Sequence, residues 1–342
     1  MTTDRILDEA SRRCAAPKLV VVTGVCGFIG SHLAEALLGG DGVRVLGVDR
    51  MEPGRDPRTA AIMTVLQGRP GFRLLSADVG DAAVAARLFE ATAVVHLAAP
   101  TDVAASWGAG FADQTRSLLS SHRLLDACWR ARVPRVVVAS SAHVYGRVDG
   151  LAREDVPVEP TSPYGVTKLA TERLAVAYAR RPGSATSAVA LRFFTAFGPR
   201  GNPAMVVPRM FRSALTGKAM PLFGDGTAAH TWTHVDDLVA AVLCGIDLPL
   251  EAGQTEVVNA AGRDEASLRQ VGDLVGQIVG RPVVWEPAGN RPGDAAGVRA
   301  DLTRARQVLG FAPRIGLRQG LETLWQHLQE PARAGDPRPL PA

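Results

Sequence analysis

Residues 19–38 read LVVVTGVCGFIGSHLAEALL, and this stretch decides the fold. A short apolar, β-branched run leads directly into Gly24, Gly27 and Gly30, and a helical pattern follows. Glycines at this spacing let the backbone turn tightly, approach a pyrophosphate and pack the helix on the strand, while the first N–H groups of the helix face the phosphates. The order strand, glycine turn, helix therefore predicts a dinucleotide-binding unit; a turn that serves packing alone is the alternative.

The residue that ends the second apolar run distinguishes between the two common dinucleotides. Asp49 stands at the distance from Gly30 where an acidic side chain accepts hydrogen bonds from an adenosine ribose. This favours NAD. Arg50, beside it, either stacks on adenine or holds a 2′-phosphate, so NADP stays open as the alternative.

Short apolar runs alternate with helical patterns along the following part of the chain. Their near-continuous hydrophobicity is typical of strands that helices cover on both faces. We therefore predict an α/β fold with a doubly wound parallel sheet of the Rossmann type. The runs lie at 19–23, 43–48, 72–76, 93–97, 135–140 and 188–193.

The rhythm changes after about residue 194, where Gly/Pro-rich segments are mixed with short helices. This predicts a smaller α/β lobe that binds the substrate. We assign residues 18–193, with about 232–262 returning, to the NAD-binding domain and residues 194–231 and 263–330 to the substrate lobe. We expect residues 1–17 to form a flexible leader and 331–342 a flexible tail.

Composition excludes several classes of protein. The 342 residues are 46% hydrophobic and 21% charged, which excludes disordered, collagen-like and coiled-coil chains. A net charge of +4 is weak evidence for a nucleic-acid partner, and we expect none, nor a membrane span. The cysteines are too dispersed for a metal or redox motif and predict reduced thiols in a cytoplasmic protein. They are Cys14, Cys26, Cys128 and Cys244.

A tyrosine and a lysine at helical spacing are the clearest catalytic signal. The chain has three tyrosines and three lysines, and Tyr164 precedes Lys168 by one helical turn, after Ser162 as a helix cap. A nearby ammonium favours the phenolate and lowers the pKa of Tyr164 toward the working pH. Such a tyrosine removes a proton from a substrate hydroxyl.

A serine pair ends the fifth run, where ligands of doubly wound folds bind. We choose Ser141 as the residue that shares a hydrogen bond with the substrate oxygen; a simple turn former is the alternative. His143 is close enough along the chain to reach the same substrate.

Two histidines four residues apart, His230 and His234, precede a pair of aspartates and superficially suggest a metal site. The glutamate of a His-Glu-x-x-His helix is missing, and the run follows a Gly-Asp-Gly turn. We therefore predict a strand that leads into a capped helix, and no metal.

These motifs together resemble the extended short-chain dehydrogenase/reductase family, in its NAD-dependent nucleotide-sugar epimerase/dehydratase branch. The resemblance spans about residues 18–328 and implies NAD as cofactor. It also implies a homodimer formed through the helices at about 111–130 and 164–180. Besides the glycine turn and the Tyr–Lys pair, it rests on ADV at 77–79, HLAA at 96–99, LRFFTAFGPR at 191–200, RPGD at 291–294 and LGFAP at 309–313.

The resemblance also implies roles for single residues. Tyr164 would be the base, Lys168 would bind the nicotinamide ribose, and Ser141 would hydrogen-bond the reacting hydroxyl. The implied cofactor residues are Gly24, Gly27, Phe28, Ile29, Gly30, Asp49, Arg50, Asp78, Val79, Leu97, Ala98, Ala99, Tyr164 and Lys168. The implied substrate residues are Ser141, Ala142, His143, Thr195, Asn202, Val206, His230 and Arg291.

Departures from the family pattern narrow the reaction. Dehydratases of this branch carry Asp and Glu directly after the serine or threonine, where this chain has Ala142 and His143. This favours epimerisation of a UDP-hexose or UDP-hexuronate at C4 through a transient 4-keto sugar. Thr195 resembles the uronic-acid epimerases, whereas Asn202 stands where those enzymes tend to have arginine.

His230 occupies the place of an arginine that grips the substrate diphosphate in the family, and an imidazole is a weaker phosphate ligand than a guanidinium. This leaves open an NAD(P)-dependent oxidoreductase or epimerase for a non-standard sugar or nucleoside in secondary metabolism. A dinucleotide-binding protein without catalysis is a third hypothesis, which the catalytic residues disfavour.

Overall fold

The computed structural model describes residues 18–51, 57–289 and 297–329. The expected leader and tail lie outside the described residues, and so does Arg291. The described helices are Phe28–Leu38 (α1), Pro57–Gln67 (α2), Ala82–Ala85 (α3), Phe111–Arg130 (α4), Pro163–Ala179 (α5), Val206–Thr216 (α6), Val235–Asp247 (α7), Leu268–Val279 (α8), Thr303–Leu309 (α9) and Leu317–Gln329 (α10).

Strands alternate with these helices through the first part of the chain, as the apolar runs predict. They are Lys18–Thr23 (β1), Val43–Asp49 (β2), Phe72–Ser76 (β3), Ala91–His96 (β4), Arg135–Ser141 (β5), Leu151–Ala152 (β6), Ser187–Phe193 (β7), Thr195–Phe197 (β8), Met220–Leu222 (β9), Ala229–His234 (β10), Thr255–Ala260 (β11), Asp264–Ser267 (β12), Trp285–Pro287 (β13) and Arg299–Ala300 (β14).

The main sheet has seven strands in the order β3-β2-β1-β4-β5-β7-β11, and every pairing in it is parallel. All seven residues of β5 are buried, which is the mark of a strand covered on both faces. Two apolar clusters lie on the two faces of this sheet. The predicted doubly wound α/β fold is confirmed.

The strand order reverses between β1 and β4, which lie side by side although two strands separate them in the chain. At such a reversal the following loops turn to opposite faces and leave a crevice at the carboxyl edge of the sheet. The glycine turn after β1 lies at this crevice, and the fold thereby places the cofactor motif where ligands bind.

A smaller lobe lies beside the carboxyl edge. It contains the sheet β12-β10-β8 and the pair β13-β9. It has its own apolar core, whose largest members come from β8, α6, β10, α8 and α10. The chain leaves this lobe after β10, forms α7 and the edge strand β11 of the main sheet, and then returns to the lobe with β12. Core residues of the lobe include Phe197, Met210, Phe211, Trp232, Val271 and Leu321.

Candidate active site

One cleft of about 1450 Å³ runs between the carboxyl edge of the main sheet and the smaller lobe. Tyr164 lines it together with the glycine turn, so the proposed base and the cofactor motif share one cavity. Every proposed site residue that the structure describes lines this cleft; their roles stay predictions. They are Gly24, Gly27, Phe28, Ile29, Gly30, Asp49, Arg50, Asp78, Val79, Leu97, Ala98, Ala99, Ser141, Ala142, His143, Tyr164, Lys168, Thr195, Asn202, Val206 and His230.

The glycine turn is closed against the protein and open toward the cleft. Gly24 has a φ of +69°, and a Cβ there would lie 2.9 Å from the Ala98 backbone. A Cβ on Gly30 would lie 2.1 Å from the Gly24 carbonyl oxygen. Helix α1 begins after Gly27 with neither a side-chain cap nor an acidic residue in its first turn. Its first N–H groups therefore meet no side-chain oxygen and fit a pyrophosphate.

Asp49 is held at the end of β2 by the backbone of the glycine turn. Its Oδ2 accepts a hydrogen bond of 3.0 Å from the Cys26 N–H. Burial, with a contribution from Asp49, raises the pKa of Cys26 to about 12, so Cys26 remains a thiol. This carboxylate fits the ribose of a dinucleotide, and the open glycine turn fits its pyrophosphate.

Helix α5 presents Tyr164 and Lys168 to the cleft. The predicted cap is present, since Ser162 accepts a hydrogen bond of 3.1 Å from the Gly165 N–H. Tyr164 and Lys168 are each 8% exposed. The Lys168 Nζ donates to the Ala139 carbonyl at 3.1 Å and lies 5.8 Å from the centre of the Tyr164 ring.

The expected lowering of the Tyr164 pKa by the ammonium of Lys168 is wrong for this state of the site. Burial raises the pKa of Tyr164, and a hydrogen bond with the Ser141 side chain opposes that rise. The Lys168 Nζ is engaged by a β5 carbonyl, and burial lowers the pKa of Lys168 to about 8. For Tyr164, desolvation thus outweighs the hydrogen bond with Ser141.

Two histidines near this site are neutral at pH 7. The rings of His143 and Tyr164 meet edge to face with centres 5.5 Å apart. Burial, with the charge of His230, lowers the pKa of His143 to about 4. His96 is a core histidine, because Thr23 Oγ1 and Ser121 Oγ each lie 2.8 Å from one of its ring nitrogens. Burial lowers its pKa to about 3.

A buried ionic network lies directly behind the site, and our reading of the sequence missed it. Glu172 is one turn beyond Lys168 on α5, and it accepts from Arg192 at 3.0 and 2.8 Å and from Ser140 Oγ at 2.7 Å. The Arg192 and Glu172 side chains are 2% and 0% exposed. The available signals were a glutamate continuing the Tyr164–Lys168 face and an arginine inside an otherwise apolar strand.

On the side of the smaller lobe, the Asn202 side chain accepts from the Ala204 N–H at 2.9 Å. His230 lies in β10. As expected, this strand leads into a capped helix, because the side chain of His234 caps α7. The described residues hold no group of three or more His, Cys, Asp or Glu side chains suited to a metal, and none of their helices is long and apolar enough to cross a membrane.

Comparison with known proteins agrees with this geometry. Residues 20–261 match the model of the NAD dependent epimerase/dehydratase family. The chain belongs to this family. Membership confirms the predicted family, NAD as cofactor, and an enzyme of the epimerase class.

Three similar proteins illustrate the relationship. An uncharacterized UDP-glucose epimerase of Bacillus subtilis (strain 168) is 33% identical over 305 residues, covering 88% of this chain and 95% of that protein. The structure of UDP-glucuronic acid 4-epimerase from Bacillus cereus with UDP-glucuronic acid and NAD has a TM-score of 0.85 at 30% identity, covering 90% of this chain and 98% of that chain. MoeE5 with UDP-glucuronic acid and NAD has a TM-score of 0.82 at 38% identity, covering 91% and 98%.

Proposed function

We propose that this family member inverts C4 of a UDP-hexose or UDP-hexuronate, with UDP-glucuronate as the first candidate. One observation carries the proposal: Tyr164, Lys168 and Ser141 line the same cleft as the glycine turn. The UDP-sugar epimerases among its relatives support the substrate class. Thr195, which lines the cleft, is the residue that favours a uronic acid.

The glycine turn would hold the pyrophosphate of NAD, and Asp49 the adenosine ribose. Bound in this way, NAD would supply a hydride acceptor and donor for the sugar carbon, which would allow inversion through a transient 4-keto sugar. Lys168 would hold the second ribose. The remaining chemistry is proton transfer by side chains of this chain.

Tyr164 takes the proton from the C4 hydroxyl as the hydride leaves and returns it after the sugar has turned. Ser141 donates to or accepts from the same oxygen and so keeps it within reach of the phenol. The raised pKa of Tyr164 means that burial alone disfavours the phenolate. A positive charge in the cleft opposes this effect and lowers the pKa.

Dehydration is disfavoured by the residues that follow Ser141. Loss of water from a sugar needs an additional acid and base beside the reacting carbons. Ala142 has no ionisable group, and His143, with a pKa of about 4, is neutral at pH 7 and therefore a poor proton donor. Oxidation and reduction at the same sugar carbon need no further acid or base at positions 142 and 143.

The test is to identify the bound ligands of the purified protein by mass spectrometry and then to supply UDP-glucuronate or UDP-glucose in deuterated buffer. We expect bound NAD, C4 epimerisation without added reductant, and no deuterium at the inverted carbon. Solvent deuterium at C4, or accumulation of a ketosugar with one equivalent of NADH, would contradict the proposal. The latter result would favour the oxidoreductase alternative.

The proposal includes a smaller lobe that binds the substrate, a cytoplasmic location and a homodimer. The expected bounds of that lobe change at two places, because Trp232 packs in its core and the apolar side chains of residues 298–311 pack in the core of the main sheet. Helices α4 and α5 pack on each other and leave large apolar side chains exposed: Phe111 is 51%, Leu119 48% and Val166 51% exposed. Light scattering should give twice the chain mass. Leu119→Glu with Val166→Glu should give the monomer, whereas Val65→Glu, at an exposed apolar residue on α2, should not.

A further inference from the structure

Two arginines of the smaller lobe, Arg209 and Arg212, line the cleft with no partner among the residues that the structure describes. Each is half-buried. Within the described part of the chain, neither guanidinium makes a hydrogen bond or an ion pair with another group. A half-buried guanidinium has lost part of its hydration and gains most from an anion that accepts from its planar fork. Two of them in one cleft predict an anionic ligand group.

The other cations of the cleft lie elsewhere. Lys168 is bound to the Ala139 carbonyl beside Tyr164, and Arg116 is paired with Asp113 at 2.9 Å. Arg50 follows β2 at the adenosine end, and Arg147 is an exposed residue of the loop after β5. Among the lysines and arginines that the structure describes, only Arg209 and Arg212 line the cleft from the smaller lobe.

Their place along the cleft follows from α6. A Cβ on Gly201 would lie 3.8 Å from Phe28 Cζ, so the loop before α6 rests on the first residue of α1. Val206 begins α6, and Arg209 and Arg212 follow on one side of it, each about 4.5 Å further along the helix axis. Arg209 and Arg212 therefore line the cleft about one and two turns along α6 from the loop that contacts Phe28.

The start of α6 adds to the positive potential. Its N-cap residue, Met205, makes no side-chain cap, and the first turn holds no acidic residue. Among the described residues, Asp225 is the one acidic residue of this lobe that lines the cleft. Its carboxylate accepts hydrogen bonds from the Thr227 N–H at 2.8 Å and from the Thr227 hydroxyl at 2.7 Å. No described carboxylate thus neutralises the two arginines.

The geometry points to Arg209 and Arg212 as the clamp for the diphosphate of the nucleotide sugar. This assignment rests on the proposed function, because it takes a UDP-sugar as the ligand. Two guanidiniums and the first N–H groups of α6 match the two negative charges of a pyrophosphate diester. His230 is a weak phosphate ligand, but the substrate can still carry an ordinary diphosphate. Arg209 and Arg212 on α6 would supply the positive charge that His230 does not.

The test measures binding, not turnover. Isothermal titration with UDP is compared for the wild type, Arg209→Gln, Arg212→Gln and the double variant. We expect each single change to weaken UDP binding about tenfold and the double change about a hundredfold. Uridine, followed by saturation-transfer NMR, should bind the variants and the wild type alike.

Arg212→Lys should fall between the wild type and Arg212→Gln, because it keeps the charge but loses the planar fork. The matched control is Arg87→Gln, at an exposed arginine that does not line the cleft. Bound NAD and the thermal midpoint should stay at wild-type values in every variant, which shows that the lobe remains folded.

The outcomes separate the two proposals. Wild-type affinity for UDP in the double variant would overturn the diphosphate clamp and leave the proposed function standing. An equal loss of uridine and UDP would also overturn it, because the arginines would then shape the nucleoside pocket. A wild-type protein that does not bind UDP at all would overturn the proposed function itself.

Discussion

Two pairs of buried polar residues on or beside helix α5 differ in their access to the cleft. Glu172 is saturated by Arg192 and Ser140 and is closed to solvent. Lys168 and Tyr164, one and two turns earlier on the helix, are also buried, but both line the cleft. The difference teaches that burial alone does not make a polar group a catalytic candidate; the group must also border a cavity. Each of the following experiments tests this contrast.

The largest effect should come from Tyr164→Phe. Removal of the phenolic oxygen deletes the proposed base, so kcat should fall by about two to four orders of magnitude. The free energy of unfolding should change little, because the ring and its contact with His143 remain. Turnover of the UDP-sugar and urea denaturation measure the two quantities. A normal rate in this variant would remove Tyr164 from the mechanism.

Glu172→Gln should show the opposite pattern. It leaves Arg192 as a buried, unpaired charge, which costs about 3–5 kcal/mol of stability. Denaturation of Glu172→Gln, Arg192→Met and the double variant Glu172→Met with Arg192→Met provides the comparison. The double variant should be more stable than either single one, since no unpaired charge is left. If Glu172→Gln unfolds at the same denaturant concentration as the wild type, the Glu172–Arg192 pair does not stabilise the fold as expected.

Gly30→Ala tests the backbone that carries the cofactor. Its Cβ would lie 2.1 Å from the Gly24 carbonyl oxygen, so the turn must open, at a cost of about 1–3 kcal/mol and with loss of NAD. Gly68→Ala is the matched control, because its Cβ would meet nothing closer than 3.9 Å. Absorbance of bound cofactor and thermal unfolding give the result; retention of NAD by Gly30→Ala would contradict the assigned geometry.

The smallest effect concerns the pH dependence of stability. Burial lowers the pKa of Lys168 from 10.5 to about 8 in the folded protein, so between these values the unfolded chain binds more protons than the folded one. The contribution of Lys168 to the free energy of unfolding therefore rises with pH, by about 1 kcal/mol from pH 8 to 9. Urea denaturation at pH 8 and pH 9 gives the change in the free energy of unfolding with pH, and this change should differ by that amount between the wild type and Lys168→Met. An equal change in both proteins would mean that Lys168 keeps an ordinary pKa.

Much of the cofactor half could be predicted from the sequence, because its signals are local. The strand Phe72–Ser76 has the predicted bounds, and the helix over Phe111–Arg130 does as well. Helix α1 begins at Phe28, inside the glycine motif, whereas the apolar pattern alone suggested a start at residue 31. A helix boundary depends on backbone hydrogen bonds that the pattern of side chains does not show.

The rest depended on contacts between distant residues. Glu172 and Arg192 meet because α5 packs on β5 and β7, and no spacing in the sequence reveals that pairing. The pKa of Tyr164 was mispredicted for the same reason: charge can be counted in a sequence, but the extent of burial cannot. The arginines of α6 also needed the structure, since only the folded chain shows that no described residue pairs with them.

The path of the chain between the lobes has a consequence for engineering. Strands β8 to β10 lie in the smaller lobe, α7 and β11 rejoin the main sheet, and β12 departs from it again. No single continuous cut therefore separates the two halves. The chain crosses once more near its end, because apolar side chains of residues 298–311 pack in the core of the main sheet, whereas those of Leu317, Leu321 and Leu324 pack in the smaller lobe. A chimera that borrows the sugar specificity of another family member must therefore exchange three segments at once, 195–234, 264–287 and 317–329, while residues 235–260 and 298–311 stay with the recipient.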